Sequence, residues 1–175
     1  MAYLAPITQR LRALLFDGAG AEHVIPAGRF RRVASDVERC EADACERAVD
    51  VVLGRSSPVS GISSRVDGRD IRSTEVGIRV AYRFHPEGSL DDLVDAAALG
   101  GATLDAIYER ASVDANDIIS AVTSLVNLGS LDPSVIDLSA EGWQIEPGDD
   151  RAVLIIPFVL TTRATYPGSY GPAAT

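Results

Sequence analysis

The segment VGIRVAYRF, residues 76–84, places an apolar side chain at every second position. Side chains of a β-strand alternate between the two faces of a sheet, so this pattern predicts a strand with one face on a core. A second run, VLIIPFVLTTRATY at residues 153–166, is apolar on both faces at first and becomes amphipathic at Thr161. Because Pro157 cannot donate a ladder hydrogen bond, it predicts an edge position or a bulge in this second strand.

Helical spacing of apolar residues surrounds the two runs. Residues 6–16 carry an apolar stripe, and Gly18 stands where a C-terminal cap is expected. In the centre, the spacing predicts helices from Ser89 and from Leu104, and Asp114 is placed to cap a further helix that ends at Gly129. Shorter strand candidates lie at residues 30–33, 48–53, 135–138 and 142–145.

This order of elements predicts an α+β fold with a mostly antiparallel sheet of about four to five strands, packed by an N-terminal helix and a central helical pair. Two long hairpins are expected: one with an extended Ser-, Gly- and Arg-rich loop at residues 54–70, the other turning at residues 147–150. Residues 1–166 are predicted to be a single domain and residues 167–175 a linker-like tail, whereas residues 36–46 are too charged to predict a core element.

Charge is distributed unevenly along the 175 residues. All sixteen basic residues are arginine, and the net charge is −9. Residues 89–150 contain thirteen acids and one arginine, a balance of −12, whereas the other three blocks together carry +3. Tight nucleic-acid binding needs clustered positive charge, so this composition argues against it. No stretch approaches the roughly 20 apolar residues that span a bilayer, and no membrane partner is expected.

The sequence contains few of the residue patterns that are typical of catalytic or metal-binding sites. His23 and His85 form no metal-binding pair, and the C-x4-C spacing of Cys40 and Cys45 favours two ordinary thiols over a disulfide or half of a metal site. No nucleophile elbow or phosphate-binding loop is present, although a triad assembled in space stays open. The acids lack the calcium-loop pattern and fit solvated helix faces. We therefore predict a protein that is not an enzyme and has no cofactor, metal or catalytic residue.

Arginines are the best candidates for an interaction surface. Arg79 and Arg83 lie on one side of the first long strand, and Arg163 lies on the second. If the strands pair, these side chains project from the face opposite Val76, and they either form an ordinary solvated face or dock on the acidic helices of another subunit. The 54–70 loop is either a mobile surface loop or a binding arm that orders on a partner, and it adds three further candidates: Arg55, Arg65 and Arg69.

The order of elements, together with GWQIEPGDD at residues 142–150 and IPFVLTTRATY at residues 156–166, resembles the tail terminator proteins of long-tailed bacteriophages and related tailed particles. The resemblance spans residues 4–166 as a pattern and has no counterpart for residues 36–70. It implies a non-enzymatic virion protein of the tail or neck, assembled in the cytoplasm of the bacterial host. Such a subunit forms a hexameric ring that caps the tail tube, stops its polymerisation and meets the head-completion (stopper) protein, while DNA passes through the lumen without specific binding.

Opposed charge on two surfaces suits a head-to-tail ring interface, and an acidic lumen would repel DNA. Two alternatives remain. A head–tail stopper or another neck connector protein is the nearest, and a small-molecule binding domain with a closed apolar pocket is the next.

Overall fold

The computed structural model describes residues 4–18, 24–32, 36–40, 46–59, 69–83, 104–124, 135–148 and 151–165. Within these ranges the elements are, in chain order, α1 (Leu4–Phe16), β1 (Arg31–Arg32), a 3-10 turn (Val37–Arg39), β2 (Ala48–Pro58), β3 (Arg69–Arg83), α2 (Leu104–Thr123), β4 (Val135–Ala140), β5 (Gln144–Pro147) and β6 (Arg151–Thr165).

The six strands form one mixed sheet. Its order is β1-β2-β3-β6-β4, and β5 also pairs with β6. The β1–β2 pair is parallel and the other pairs are antiparallel. The α+β class is therefore confirmed, while the expected four to five strands were too few. Strand β1 lies within the strand candidate at residues 30–33, of which Arg31 and Arg32 join the sheet.

The two alternating runs become the central strands β3 and β6. They pair without interruption from Arg69 opposite Thr165 to Arg83 opposite Arg151. Three apolar residues of β3, Val76, Ile78 and Val80, are buried against the helices. This pairing is the largest contact between any two elements, so the runs quoted from the sequence do form the centre of the fold.

Strand β2 extends well beyond the predicted end at residue 53. It pairs with β3 as far as Pro58 opposite Arg72, with a bulge between Leu53 and Ser56. Residues 54–58 and 69–70 of the expected loop are therefore strand, while residues 60–68 lie outside the described ranges. Gly54 permits the bulge, because a Cβ there would stand 2.9 Å from the Cβ of Glu75. Residues 54–58 are mostly polar and show no apolar alternation, so the sequence pattern does not predict this part of the strand.

The sequence predicted an edge position or a bulge at Pro157, and the structure places this residue in an interior strand, at a gap on its outer side. Strand β6 has β3 on one side and both β4 and β5 on the other. The outer partner changes at Pro157, because β4 pairs with β6 up to Phe158 and β5 from Ile155. The Glu141 amide donates to the Pro157 carbonyl across this break, at 2.9 Å. The proline therefore occupies an interruption of the ladder, where its missing N–H costs little.

The helices cover one face of the sheet and build the main core. Fully buried side chains of α1 (Ile7, Leu11, Leu15) and α2 (Ile107, Ile118) pack with the apolar rows of β3 and β6. Helix α1 ends as expected, since Gly18 adopts φ 65° after Phe16. A side chain at position 18 would also bring its Cβ to 2.9 Å from the Ile25 carbonyl oxygen, so glycine is required there.

The opposite face carries a second, smaller core. Val37 of the 3-10 turn is fully buried and packs with Ala48, Ala81 and Val153. These three residues form one row across β2, β3 and β6. Residues 36–46, for which the charged sequence predicts no core element, therefore contribute a buried residue at Val37. Its neighbours are charged, and a single buried valine leaves no periodic pattern to read.

Helix α2 corrects the predicted division of the central helices. It runs without a break from Leu104 to Thr123, where the sequence predicted one helix to Ser112 and another capped by Asp114. Asp114 thus lies in the interior of the helix, facing the sheet, and is fully buried. The segment after Ser89 lies outside the described residues, so the helix predicted there stays a prediction. No helix in the described ranges is long and apolar enough to cross a membrane.

Candidate functional site: charge clusters and sheet edges

A buried carboxylate on α2 organises the helix-covered side of the sheet. Asp114 accepts hydrogen bonds from Arg29 (Nη2, 2.6 Å), Arg47 (Nε, 3.0 Å) and the hydroxyl of Tyr82 (2.9 Å). The carboxylate is fully buried, while the side chains of Arg29 and Arg47 are 17% and 32% exposed. We refer to these four residues as the Asp114 cluster. It ties the loop before β1 and the turn before β2 to helix α2.

The pKa shifts within the Asp114 cluster follow from burial and charge. Burial, followed by the negative charge and hydrogen bond of Asp114, raises the pKa of Tyr82 far above its ordinary value. Burial alone would lower the pKa of Arg29, but hydrogen bonds to Asp117 and Asp114 outweigh it and raise the pKa. The tyrosine is therefore a permanent donor and the arginine a permanent cation at physiological pH.

Arg47 takes an uncommon backbone conformation to reach this cluster. Its φ is 52°, in the left-handed region that non-glycine residues seldom adopt. The Arg47 carbonyl accepts from the Arg31 amide at 2.9 Å, which starts the β1–β2 ladder. The ion pair with Asp114 and this backbone bond hold the residue in place, so the cluster also fixes where β2 begins.

A second cluster lies on the other face of the sheet and has the reverse charge pattern. Arg79 donates to Asp50 (Nη2, 2.6 Å), to Asp36 (Nη2, 2.8 Å) and to Glu38 (Nη1, 2.8 Å). Asp50 also accepts from the Val37 amide at 3.1 Å. We refer to these residues as the Arg79 cluster. The hydrogen bond that Arg79 donates to Asp50 is the largest cause that raises the pKa of Arg79, and burial opposes it.

The register places the three sheet arginines on one face, as predicted, but at separate positions. Arg163 pairs with Ile71, and Arg79 lies eight residues farther along β3. At about 3.3 Å per residue this separates the two by roughly 26 Å. Arg163 is exposed, Arg83 is half-buried beside Glu46, and Arg79 is held by three carboxylates of its own chain. The three arginines therefore do not form a single patch.

The loop arginines have different outcomes. Arg55 is exposed in β2, next to the bulge. Arg69 is the first residue of β3, opposite Thr165, and nothing is described of its side chain. Arg65 lies outside the described residues, as do His23, His85 and Cys45. Cys40 donates its thiol to the Val37 carbonyl at 3.1 Å.

One outer edge of the sheet belongs to β2. Strand β1 pairs with only Ala48 and Val49, and in the described chain no strand pairs with β2 on this side beyond Val49. We call residues 51–58 the β2 edge. A groove of about 620 Å³ follows its first part, lined by side chains that include Arg12, Phe16 and Arg32. The Arg32 guanidinium stacks 4.8 Å from the centre of the Phe16 ring.

The other outer edge belongs to β4 and β5, residues 135–147, which we call the β4–β5 edge. Both strands pair with β6 on their inner side, and no described strand pairs with them on the outer side. Asp137, Glu141 and Glu146 are exposed along it. Trp143, in the bend between the two strands, is 39% exposed. The sheet therefore ends in an arginine-bearing edge on one side and an acidic edge on the other.

The described residues thus offer two charge clusters and two unpaired strand edges. Within the described ranges, no group of three or more histidine, cysteine, aspartate or glutamate residues is placed to hold a metal ion. Sequence reasoning missed both clusters and both edges. The position of Asp114 within the apolar stripe of α2 is a sequence signal for a buried acid. Because an aspartate is also a common N-cap, the sequence predicts a cap there instead. The edges gave no signal, because strand order depends on tertiary pairing.

Comparison with models of known protein families gives no match, and comparison with curated proteins gives none either. The resemblance to tail terminators therefore stays a prediction.

Proposed function

We propose that this chain is a non-enzymatic structural subunit of a phage-like tail, a tail terminator whose ring caps the tube and joins it to the head or neck. The observation that carries the proposal is the architecture: a single sheet with helices on one face, centred on the long β3–β6 pair. This is the arrangement that the resemblance implies for a terminator subunit. The hexameric ring, the tube and stopper partners, and the passage of DNA through the lumen belong to the same proposal.

Charge supports assembly as the role of the surface. The β2 edge and the β4–β5 edge are opposite in sign and lie on opposite sides of one subunit. A ring needs two different surfaces that meet head to tail, and opposed charge sets their pairing and register. Arg79 contributes to the fold of its own subunit through Asp50, which leaves Arg163 and Arg55 as the more accessible of the candidate contact residues.

Size-exclusion chromatography with light scattering tests the proposal. The expected result is a particle near six times the chain mass of 18.5 kDa, seen as rings by electron microscopy. Some ring proteins close only on their partner, so the same sample is also mixed with tail tubes. A chain that stays monomeric at every concentration and binds no tube end would overturn the proposal. Rings that bind a portal adaptor instead of a tube end would favour the stopper alternative.

A further inference from the structure

The two outer edges of the sheet are both available for strand pairing within the described chain. Arg31 donates to the Arg47 carbonyl, so the backbone groups of Arg47 face the outer side of β2. Backbone groups of alternate residues in a strand point to the same side, which places those of Val51 and Leu53 on that side too. Unpaired strand edges of this kind are templates for another strand.

The side chains at the two edges are complementary in charge. Arg55 lies in the β2 edge itself, and Arg12 and Arg32 border the groove beside it, where Asp36 and Asp50 are paired with Arg79. Asp137, Glu141 and Glu146 lie along the β4–β5 edge. The three acids of the β4–β5 edge are exposed, as are Arg12, Arg32 and Arg55, and none of these six residues takes part in an ion pair within the described part of the chain.

Exposed apolar residues mark the same two edges. Of the six large hydrophobic side chains exposed in the described ranges, one lies on the β2 edge (Val52, 39%) and two on the β4–β5 edge (Ile136, 46%; Trp143, 39%). Aromatic and aliphatic side chains of this type are the ones that become buried at the centre of protein interfaces. Each edge thus combines unpaired backbone groups with an exposed apolar residue, and the charged residues within 51–58 and within 135–147 are opposite in sign.

We propose that the β2 edge of one copy of this chain pairs with the β4–β5 edge of a second copy, so that the sheet continues from subunit to subunit. This inference rests on the proposed ring and names the surfaces that close it. The occupant is a second copy because one chain carries both complementary edges. Pairing of like edges is disfavoured, since arginines would face arginines and acids would face acids. Head-to-tail pairing is the kind of contact that closes into rings.

Charge reversal at either edge tests the pairing. R12E/R55E changes the β2 edge, and D137R/E146R changes the β4–β5 edge, both at exposed positions. We expect each variant to keep its circular dichroism spectrum and to fall from the wild-type oligomer to monomer in light scattering. R39E/R110E changes the charge by the same amount as R12E/R55E, at exposed positions outside both edges, and should assemble like the wild type.

Mixing the two edge variants distinguishes head-to-tail from like-edge pairing. Each variant alone has two edges of like sign. In an equimolar mixture every edge of one variant meets a complementary edge of the other, so the mixture should recover the oligomer with the two variants alternating. Combining all four substitutions in one chain restores complementarity with the signs exchanged and should recover the oligomer. If D137R/E146R assembled normally by itself while R12E/R55E did not, the contact would be β2 with β2 and the proposal would be wrong.

Hydrogen exchange locates the pairing independently of charge. Amides of peptides covering residues 51–58 and 135–147 should exchange at least tenfold more slowly in the oligomer than in the diluted monomer. If the edge substitutions did not affect assembly and the edge peptides exchanged equally in oligomer and monomer, the edge pairing would be wrong. The proposed ring would be unaffected by that result. An edge-dependent open chain or dimer in the wild type would instead support the edge pairing and overturn the six-membered ring.

Discussion

The two charge clusters lie on opposite faces of the sheet with reversed arrangements of charge, and they differ in how deeply their carboxylates are buried. On the helix side, one acid, Asp114, is surrounded by two arginines and a tyrosine. On the other side, one base, Arg79, is surrounded by three acids. The central carboxylate is fully buried, whereas Glu38 and Asp36 are 63% and 36% exposed. Removing the buried charge of Asp114 is therefore expected to destabilise the fold strongly. Removing the exposed charges of Asp36 or Glu38 is expected to cost little, because water solvates them.

This contrast separates residues that build the subunit from residues available to a partner. Both clusters fasten segments that lie outside the long helices and strands: the loop at Arg29 in one case and the 3-10 turn in the other. Their arginines are therefore used within the chain. The arginines and acids of the sheet edges form no ion pair in the described ranges, which is why we propose the edges as the assembly surfaces.

The largest effect is expected from D114N, which keeps the shape of the side chain and removes its charge. Two partly buried guanidinium groups then lose their carboxylate, and breaking a buried charge network costs about 3 kcal/mol or more. The free energy of unfolding from urea denaturation measures this loss. D117N is the matched control: it lies on the same helix and binds the same Arg29, but Asp117 is 46% exposed. We expect it to lose less than about 1 kcal/mol. Equal losses in the two variants would show that burial does not distinguish the sites.

A smaller effect, which depends on pH, is expected from Y82F. At pH 7 the variant loses a hydrogen bond to a buried carboxylate, worth about 1.5 kcal/mol. Burial and Asp114 raise the folded-state pKa of Tyr82 above its ordinary value of 10.0. Its contribution is therefore fully present below pH 10 and is lost as pH rises, because the unfolded chain releases the phenolic proton while the folded chain keeps it.

Unfolding free energies measured from pH 8 to 11 check this expectation. The wild type should lose stability above pH 10 more steeply than Y82F, by up to about 1.4 kcal/mol per pH unit. The sequence contains no lysine, and the other tyrosines and the cysteines are common to the wild type and Y82F. Y108F, at an exposed tyrosine of α2, controls for the loss of a phenol at pH 7. Parallel pH profiles for the wild type and Y82F would contradict the assigned role of Tyr82.

The sequence predicted the parts of this fold that depend on local periodicity. The alternation in residues 76–84 and the stripe in residues 6–16 gave the central strands and α1 correctly. It missed features that depend on distant residues meeting: the polar extension of β2, the burial of Val37 and the position of Asp114 inside α2. The arginine candidates show the same limit. The sequence predicts that Arg79 lies on an exposed face of the sheet. In the structure it is paired with Asp36 and Glu38, which the 3-10 turn places beside it.

The smallest effect is expected from E38Q, at the outermost carboxylate of the Arg79 cluster. Glu38 is 63% exposed and bonds Arg79 at 2.8 Å, so its loss should cost about 0.5 kcal/mol or less in low salt. In 1 M NaCl the Debye length falls to about 3 Å, and the difference from the wild type should vanish. E109Q, an exposed acid of α2, changes the net charge equally and controls for general repulsion in a chain of net charge −9. The loss of stability caused by D114N should persist in the same salt, because the Asp114 carboxylate of the wild type is fully buried and salt screens it little. If salt removed both effects alike, the two clusters would not differ in the way their burial indicates.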